Sequence, residues 1–493
     1  MTDVTFSLVS HTNAGKTTLA RTLLGRDVGE VRDAPHVTEF ADRHPLVATE
    51  AGERLWLWDT PGFGDSARLL RRLRESAKPW GWFLAEVWDR WRDRPFWATQ
   101  QALRHVQAES DLVLYLVNAA ESPAAAGYVA SEMELLAWMG KPVLVLLNQL
   151  GEPRAPALEA ADVDAWRAHL ARWPQVRAVL PLDAFARCWV HELTLLHAAQ
   201  AALAGDKAAA LQRLSQSWQA QLEARFEASM RVLAESLART ALGRETVTDG
   251  GGLADRLSSS LRRIGAALAR RDDGDATVAA QSRLAAAAQD EQQSSTTTLV
   301  RLHGLAGQAE GEILARVASA FAVHERVPEG RAALMGGALT GALTGLKADI
   351  ASGGLTLGGG LLVGGILGAL GAAGLARGIN LVRGTGASWV AWSDEALLAH
   401  VRTALLRYLA VAHFGRGRGQ WAAGEAPPHW PAAVDDALAP QQADWAAAWR
   451  GRGAADAAQA AQAAQAECLA QVLQPLLAQA ARAALSRLYP PAG

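Results

Sequence analysis

Short, uninterrupted apolar runs recur along the first two hundred residues of the chain. They cover residues 4–10, 54–59, 112–118, 143–148 and 177–182, and most of them end in a polar residue. Runs of this kind are typical of strands that are buried on both faces of a sheet. Helix-like stretches separate them, beginning with Lys16–Leu24. The pattern predicts an α/β domain over residues 1–204, with a doubly wound and mainly parallel sheet.

From about residue 205 the strand pattern gives way to amphipathic helices rich in Ala, Leu, Arg, Glu and Gln. The predicted helices cover residues 206–244, 252–271 and 277–323, and we assign residues 205–330 to a helical domain. The C-terminal region, residues 385–493, has the same pattern and is broken by a Gly- and Pro-containing loop near 415–431. The second part of the chain is therefore expected to be a large all-α domain.

Residues 331–384 predict a glycine-rich hydrophobic hairpin with its turn at residues 347–349. Glycines recur every four residues, which places them on one helix face where two backbones can approach closely; they are Gly337, Gly341, Gly345, Gly360, Gly364 and Gly368. Each glycine in an exposed helix costs about 1 kcal/mol relative to alanine. The hairpin must therefore be buried in protein or inserted in lipid, with Arg377 and Arg383 available to anionic headgroups.

Composition narrows the function classes. A net charge of −2 gives no global field that would attract nucleic acid. The two cysteines, Cys188 and Cys468, argue against a disulfide scaffold and fit a reducing cytosol. The N-terminus lacks a basic segment followed by an apolar one, so no secretory signal is expected. We expect a cytoplasmic protein, peripheral or partly inserted at the cytoplasmic membrane if the hairpin enters lipid.

Residues 10–18, SHTNAGKTT, lie between the first predicted strand and the first predicted helix. They match the phosphate-binding pattern G-x-x-x-x-G-K-[ST], except that Ser10 replaces the first glycine, and a serine fits there if its φ stays negative. Backbone N–H groups of such a loop surround the phosphates, the lysine reaches the β- and γ-phosphates, and the threonine hydroxyl binds Mg²⁺. The predicted nucleotide-binding residues are Asn13, Ala14, Gly15, Lys16, Thr17 and Thr18.

A second motif, DTPGFGD at residues 59–65, directly follows the RLWLW strand. In phosphate-loop NTPases an aspartate at a strand end holds the Mg²⁺ shell, which here predicts Asp59 as a metal residue together with Thr17. Gly62 would offer its backbone N–H to the γ-phosphate.

The segments NAGKTTL (13–19) and DTPGFGD (59–65), with Asn148, resemble translation-factor-type GTPases of the branch that includes Era, TrmE and the septins. The resemblance covers roughly residues 1–200. The layout also resembles a bacterial GTPase family with segments like those at 148–151 and 182–189 and a C-terminal helical domain of unknown function. It implies that GTP or GDP binds with Mg²⁺ and that Asn148 contacts the base. It also implies that Thr38 senses the γ-phosphate and the metal, with Lys16 and Gly62 as the other catalytic groups.

Two departures from the GTPase pattern affect specificity and catalysis. The guanine-reading motif N-K-x-D is replaced by NQLG, residues 148–151, so the base-reading carboxylate is missing. Hydrogen bonds to a charged partner contribute roughly 1.5–3 kcal/mol each, so the preference for guanine over adenine stays open, and either Glu152 or Asp183 could substitute. Phe63 stands where many GTPases place a water-orienting glutamine.

Without that glutamine, hydrolysis must depend on another group. Asn13 occupies the position where an asparagine helps to hold K⁺ in cation-dependent relatives. The resemblance therefore implies a K⁺-assisted mechanism driven by dimerisation through the nucleotide-binding domains.

A Trp- and Arg-rich insert, residues 66–110, follows the second motif. It has a basic cluster and an apolar stripe at helical spacing; these are Arg68, Arg71, Arg72, Arg74 and Lys78, and Leu84, Val87, Trp88 and Trp91. The stripe could pack on the helical domain, bind a partner or membrane surface, or stack on nucleic-acid bases. Packing on the helical domain is favoured, and nucleic acid is the least favoured partner.

The sequence thus predicts a GTP-binding protein, a slow GTPase that acts as a switch controlling a helical, membrane-associating domain. Its expected partners are the nucleotide, a membrane surface or inner membrane, and a second copy of the chain. A membrane-remodelling NTPase of the dynamin type and a non-catalytic nucleotide-binding scaffold are the alternatives.

Overall fold

The structure is a computed structural model. It describes residues 2–12, 14–24, 42–75, 94–148, 156–182, 189–247, 275–304, 379–383, 388–412, 430–450, 452 and 459–488. Contacts divide the chain into two compact units. Unit 1 comprises residues 1–224 and 412–420, and unit 2 comprises residues 225–411 and 421–493.

Unit 1 is built on a six-stranded sheet with the strand order β2-β3-β1-β4-β5-β6. The strands are β1 (Val4–Ser10), β2 (Asp42–Ala48), β3 (Arg54–Asp59), β4 (Leu112–Asn118), β5 (Val143–Asn148) and β6 (Val176–Pro181). All neighbouring strands are parallel except β2, which pairs antiparallel with β3. The predicted fold class is confirmed: a mainly parallel α/β sheet is followed by a larger helical region.

Strand β2 is the strand of this sheet that the hydrophobic pattern missed. Its sequence, DRHPLVA, contains Pro45 and alternates irregularly between polar and apolar residues. A proline cannot donate to a sheet ladder, so it is found on edge strands and at bulges. β2 is an edge strand, and its pairing register shifts between Pro45 and Val47, which accommodates the proline.

Helices cover both faces of the sheet, as a doubly wound fold requires. They are α1 (Lys16–Leu24), α2 (Ser66–Glu75), α3 (Arg94–Glu109), α4 (Tyr128–Met139), α5 (Pro156–Leu170), α6 (Trp189–Ala202) and α7 (Gly205–Leu242). One buried apolar cluster contains side chains of α2, α3, α4 and α5. The other contains side chains of α1, α6 and the first part of α7. Each cluster also takes in alternate residues of the central strands, so the sheet is buried on both sides.

The first part of α7 is attached to the sheet by polar contacts as well. Arg213 donates to both carboxylate oxygens of Glu53, at 2.9 and 2.5 Å, just before β3. Lys207 Nζ donates to the Asp3 carbonyl and to Asp111, near the start of β1 and β4. Pairs as exposed as these contribute little stability individually. They place α7 beside the β2–β3 turn at Glu53 and beside the starts of β1 and β4 at Asp3 and Asp111.

Unit 2 combines helices with a small antiparallel sheet of order β7-β9-β8. The strands are β7 (Arg244–Val247), β8 (Ile379–Arg383) and β9 (Ser388–Trp392). The described helices after α7 are α8 (Asp275–Leu302), α9 (Asp394–Ala412), α10 (Trp430–Leu438), α11 (Gln442–Arg450) and α12 (Gln459–Leu488), with a 3₁₀ turn at Ala439–Gln441. The sequence pattern predicted no strands after about residue 205, and this was wrong, because unit 2 contains these three short strands. Strands of four or five residues are too short to show a periodic pattern, and β7 pairs with a strand that begins 141 residues after it.

A buried arginine joins two helices of unit 2. The Arg407 guanidinium on α9 donates from one nitrogen to the Gln292 carbonyl and to the hydroxyls of Ser295 and Thr296, at 2.6, 3.0 and 2.7 Å. Burial lowers the pKa of Arg407 to about 10, which leaves the side chain protonated at neutral pH. A cation held by several α8 oxygens in a dry interior fixes the pairing of the two helices.

The glycine-rich hairpin lies outside the described residues, apart from residues 379–383, which form β8 rather than helix. Within the described ranges, no helix is both long enough and apolar enough to span a bilayer. The apolar stripe of the Trp- and Arg-rich insert, with Lys78, also lies outside the described residues. The insert's two described helices, α2 and α3, bury Leu69, Leu73 and Leu103 against unit 1's own sheet.

Candidate nucleotide-binding site

The described members of the predicted site converge at the carboxyl edge of the unit 1 sheet. β1 leads into the phosphate loop, β3 ends at Asp59, and β5 ends at Asn148. In an open α/β sheet, ligands bind in the crevice at this edge. The sequence motifs, spread over 140 residues, therefore meet because three parallel strands end side by side.

The position of Ser10 explains how the phosphate loop forms without the first glycine of the motif. It is the last residue of β1, in extended backbone, and its carbonyl accepts a hydrogen bond from the Phe63 N–H at 2.9 Å. Its hydroxyl accepts from Lys16 Nζ at 2.9 Å and donates to the His11 carbonyl at 2.5 Å. The serine thus adds a hydrogen-bond partner for the lysine that a glycine would not supply.

Gly15 is required by both conformation and space. Its φ is 87°, in the left-handed region that favours glycine. A Cβ at this position would lie 2.6 Å from the side-chain nitrogen of Asn148. The same amide donates to the Ala14 carbonyl at 2.8 Å, and Asn148 is completely buried. Asn148 therefore fastens the phosphate loop to the end of β5.

Thr17 and Asp59 form the predicted metal pair. The Thr17 hydroxyl donates to an Asp59 carboxylate oxygen at 2.6 Å, and Asp59 is 3% exposed. A hydroxyl and a carboxylate are the hard oxygen donors that Mg²⁺ takes when it is bound together with substrate phosphates. The donor set therefore fits a magnesium ion.

Lys16 is almost fully buried at the start of α1. Burial lowers the pKa of this lysine, while the charges of Asp59 and Glu132 oppose that shift. An ammonium held in a poorly solvated site gains strongly from an arriving anion, because little water has to be displaced from it.

The loop after β3 runs directly over the phosphate loop. A Cβ on Gly62 would lie 3.1 Å from Lys16 Nζ and 3.1 Å from Thr12 Cα, so only a residue without a side chain fits comfortably. The Thr60 hydroxyl donates to the Leu8 carbonyl at 2.5 Å and anchors this loop to β1. The Phe63 ring is completely buried in the core, so it takes no part in orienting water.

The remaining predicted site residues either lie within α1 or fall outside the described residues. Thr18 is buried within α1, behind the loop. Asn13, Thr38 and Asp183 lie outside the described residues, as do Gly151 and Glu152. Their roles stay predictions.

Sequence reasoning missed a buried carboxylate behind the loop, Glu132 on α4. It is completely buried and binds His11 of the phosphate loop and Tyr115 of β4. A signal was present in the sequence: Val129, Leu135 and Leu136 lie three or four residues from Glu132, on one helix face. An acidic residue in the middle of an apolar helix face indicates a paired, buried charge.

Residues 5–149 match the family model described as 50S ribosome-binding GTPase. Two curated relatives are both GTPase Der. The Myxococcus xanthus protein is 40% identical over 74 residues, 15% of this chain and 16% of that protein. The Mycolicibacterium vanbaalenii protein is 28% identical over 155 residues, 31% of this chain and 27% of that protein. The chain thus spans less than a third of the length of these relatives.

Solved structures show weaker likeness. Era from Aquifex aeolicus, bound to GDP and AlF₄⁻, is 14% identical with a TM-score of 0.31, over 62% of this chain and 100% of that chain. A bacterial dynamin from an oligomerised pair is 12% identical with a TM-score of 0.24, over 98% of this chain and 83% of that chain. Scores below 0.5 do not show a shared overall fold.

Proposed function

We propose that this chain, whose residues 5–149 form a P-loop GTPase domain, binds GTP and GDP with Mg²⁺, hydrolyses GTP slowly, and acts as a nucleotide-dependent switch for its helical region. The observation that carries the proposal is the convergence of Lys16, the Thr17–Asp59 pair and Gly62 at one sheet edge. Each of these groups contacts another of them or a residue of the phosphate loop.

In the proposed site, different residues bind the phosphates and the metal ion. Lys16 neutralises charge on the β- and γ-phosphates, and the loop N–H groups around it donate hydrogen bonds to the remaining phosphate oxygens. Thr17 and Asp59 hold Mg²⁺, which when bound neutralises the charge that develops on the phosphates. Gly62 lies beside Lys16, since a Cβ built on it would be 3.1 Å from Lys16 Nζ, and its backbone N–H would donate to the γ-phosphate.

A switch needs a connection between the phosphates and the rest of the chain. Asp59 is the last residue of β3, and Gly62 lies in the loop that follows it. At the other end of the strand, Arg213 of α7 donates to Glu53, which directly precedes β3. A movement of β3 between nucleotide states would therefore also displace α7 through this ion pair. This contact gives a switch a direct link from the strand that carries Asp59 to α7.

We expect GTP to bind more tightly than ATP, but by only about tenfold, because the base-reading carboxylate of the N-K-x-D motif is absent. Isothermal titration of the full-length protein with GTP, GDP, ATP and ADP in the presence of Mg²⁺ tests this. Absence of binding for all four nucleotides contradicts the proposed function.

We propose further that K⁺ assists hydrolysis, since Phe63 cannot orient water and Asn13 occupies the K⁺ position of similar GTPases. Phosphate release should be at least about tenfold faster in K⁺ than in Na⁺ at equal ionic strength, as expected when one charge-stabilising group is added to the transition state. Equal rates in the two salts remove the role of K⁺. Tight GTP binding with no phosphate release in either salt would instead favour a scaffold.

A further inference from the structure

Hydrogen bonds through Ser10 and His11 connect the buried Glu132 with the phosphate-binding lysine. His11 Nδ1 lies 2.8 Å from one carboxyl oxygen of Glu132, within hydrogen-bond distance, and the Tyr115 hydroxyl donates to the other oxygen at 2.5 Å. The His11 carbonyl accepts from the Ser10 hydroxyl, which in turn accepts from Lys16 Nζ. Three hydrogen bonds, together with the covalent bonds of His11, thus link the loop lysine to a carboxylate on α4, and a fourth links that carboxylate to a phenol on β4.

His11 is held on more than one side. Besides the bond to Glu132, its ring stacks on Tyr128 with the centroids 4.4 Å apart and an angle of 22° between the planes. Its backbone pairs with Phe63, in the loop that follows Asp59. The orientation of His11 therefore bears on both the phosphate loop and the loop that carries Gly62.

The charge of Glu132 also acts on the site. Asp59 and Glu132, when ionised, are the two carboxylates whose charges favour the charged form of the buried Lys16. Burial raises the pKa of Glu132, and its contacts with His11 and Tyr115 oppose that rise. The proposed metal role accounts for Asp59 and leaves Glu132 without a function. Burial raises the pKa of Tyr115, so its hydroxyl stays protonated and remains a donor to Glu132. A completely buried carboxylate is costly to desolvate, and Glu132 is tied directly to the phosphate loop through His11.

We propose that Glu132 is a positioning residue for triphosphate binding, which rests on the proposed function of this site. Through His11 it sets the path of the phosphate loop and the alignment of Ser10 and Lys16, and through the His11–Phe63 pairing it sets the distance to Gly62. Lys16 and Gly62 both meet the γ-phosphate. Loss of the positioning should therefore weaken a triphosphate more than a diphosphate.

The test compares Glu132→Gln with Glu134→Gln in the full-length protein. Both changes remove one carboxylate from α4, but Glu134 is partly exposed and pairs with Arg74. We expect Glu132→Gln to weaken a non-hydrolysable GTP analogue about tenfold and GDP about threefold or less, as measured by titration calorimetry. Glu134→Gln should bind both nucleotides like the wild type.

A double-mutant cycle separates positioning from general damage to the fold. If Glu132 acts through His11, the variant with both His11→Ala and Glu132→Gln should lose no more triphosphate affinity than the larger of the two single changes. Thermal unfolding of each variant shows whether the fold is kept. If Glu132→Gln does not fold, His11→Ala alone carries the test, because its side chain is partly exposed.

Two failures are distinguishable. Wild-type affinity for the triphosphate analogue in Glu132→Gln or in His11→Ala overturns the positioning role and leaves the proposed function standing. Equal losses for the triphosphate and diphosphate also overturn it, since the contact with the γ-phosphate is what the positioning serves. A wild-type protein that binds no nucleotide contradicts the proposed function itself.

Discussion

Replacing Lys16 with alanine is expected to weaken GTP binding by about a hundredfold or more. The lysine is nearly fully buried, and its neighbours Asp59 and Glu132 are both acidic. Truncating one partner of a buried charge pair typically costs about 3–5 kcal/mol, and 1.4 kcal/mol corresponds to a tenfold change in affinity. Without the ammonium, two buried carboxylates would face an incoming polyanion. Titration calorimetry with GTP and Mg²⁺ measures the change.

Lys141→Ala is the matched control for this result. Lys141 precedes β5 at the opposite end of that strand from Asn148, so it lies at the edge of the sheet away from the site. It should bind GTP like the wild type. Undiminished GTP binding in Lys16→Ala would show that the phosphate loop is not where the nucleotide sits.

Much of the site could be predicted because each motif follows a long, continuous apolar run. β1, β3 and β5 bury nearly every residue of one or both faces, so their limits could be read from hydrophobicity alone. Parallel strands end at one edge, and this places Lys16, Asp59 and Asn148 together once the strands are known.

The features that could not be predicted from the sequence depend on contacts between elements that are far apart in the chain. β2 was missed because Pro45 and its polar neighbours give no regular alternation, and its place at the sheet edge is set by pairing with β3. Glu132 was missed because nothing local shows that it meets a histidine 121 residues earlier in the chain. Strand β7 of unit 2 pairs with β9 over a similarly long separation, whereas β8 and β9 follow each other directly in the chain.

Ser10 shows a third kind of limit. The pattern predicts a loop with one glycine missing, and backbone sterics permit that change. The gain, a hydroxyl that binds Lys16 and the His11 carbonyl, follows only from the position of those atoms. A departure from a motif can therefore add an interaction that the motif itself does not encode.

Gly15→Ala is expected to lower both stability and nucleotide affinity, since two separate costs fall on one residue. A non-glycine residue in the left-handed region costs about 1–2 kcal/mol. The new methyl group would also displace the Asn148 amide, which lies 2.6 Å from the Cβ position and holds the Ala14 carbonyl. Leaving these buried groups unpaired adds about 1–3 kcal/mol. The thermal midpoint should fall by at least about 4 °C, since 1 kcal/mol shifts it by about 2–4 °C in a domain of this size.

The control variant Gly140→Ala separates the cost of backbone strain from the cost of losing the Asn148 contact. Gly140 ends α4 with a φ of 66°, and a Cβ there meets nothing within 4 Å, so the change adds backbone strain alone. Its thermal midpoint should fall by only about 3 °C, with GTP affinity unchanged, whereas Gly15→Ala should also lose at least about tenfold in GTP affinity. If the two variants unfold at the same temperature and bind GTP equally well, the Asn148 amide does not hold the phosphate loop in place. The contact between β5 and the loop would then have no part in forming the site.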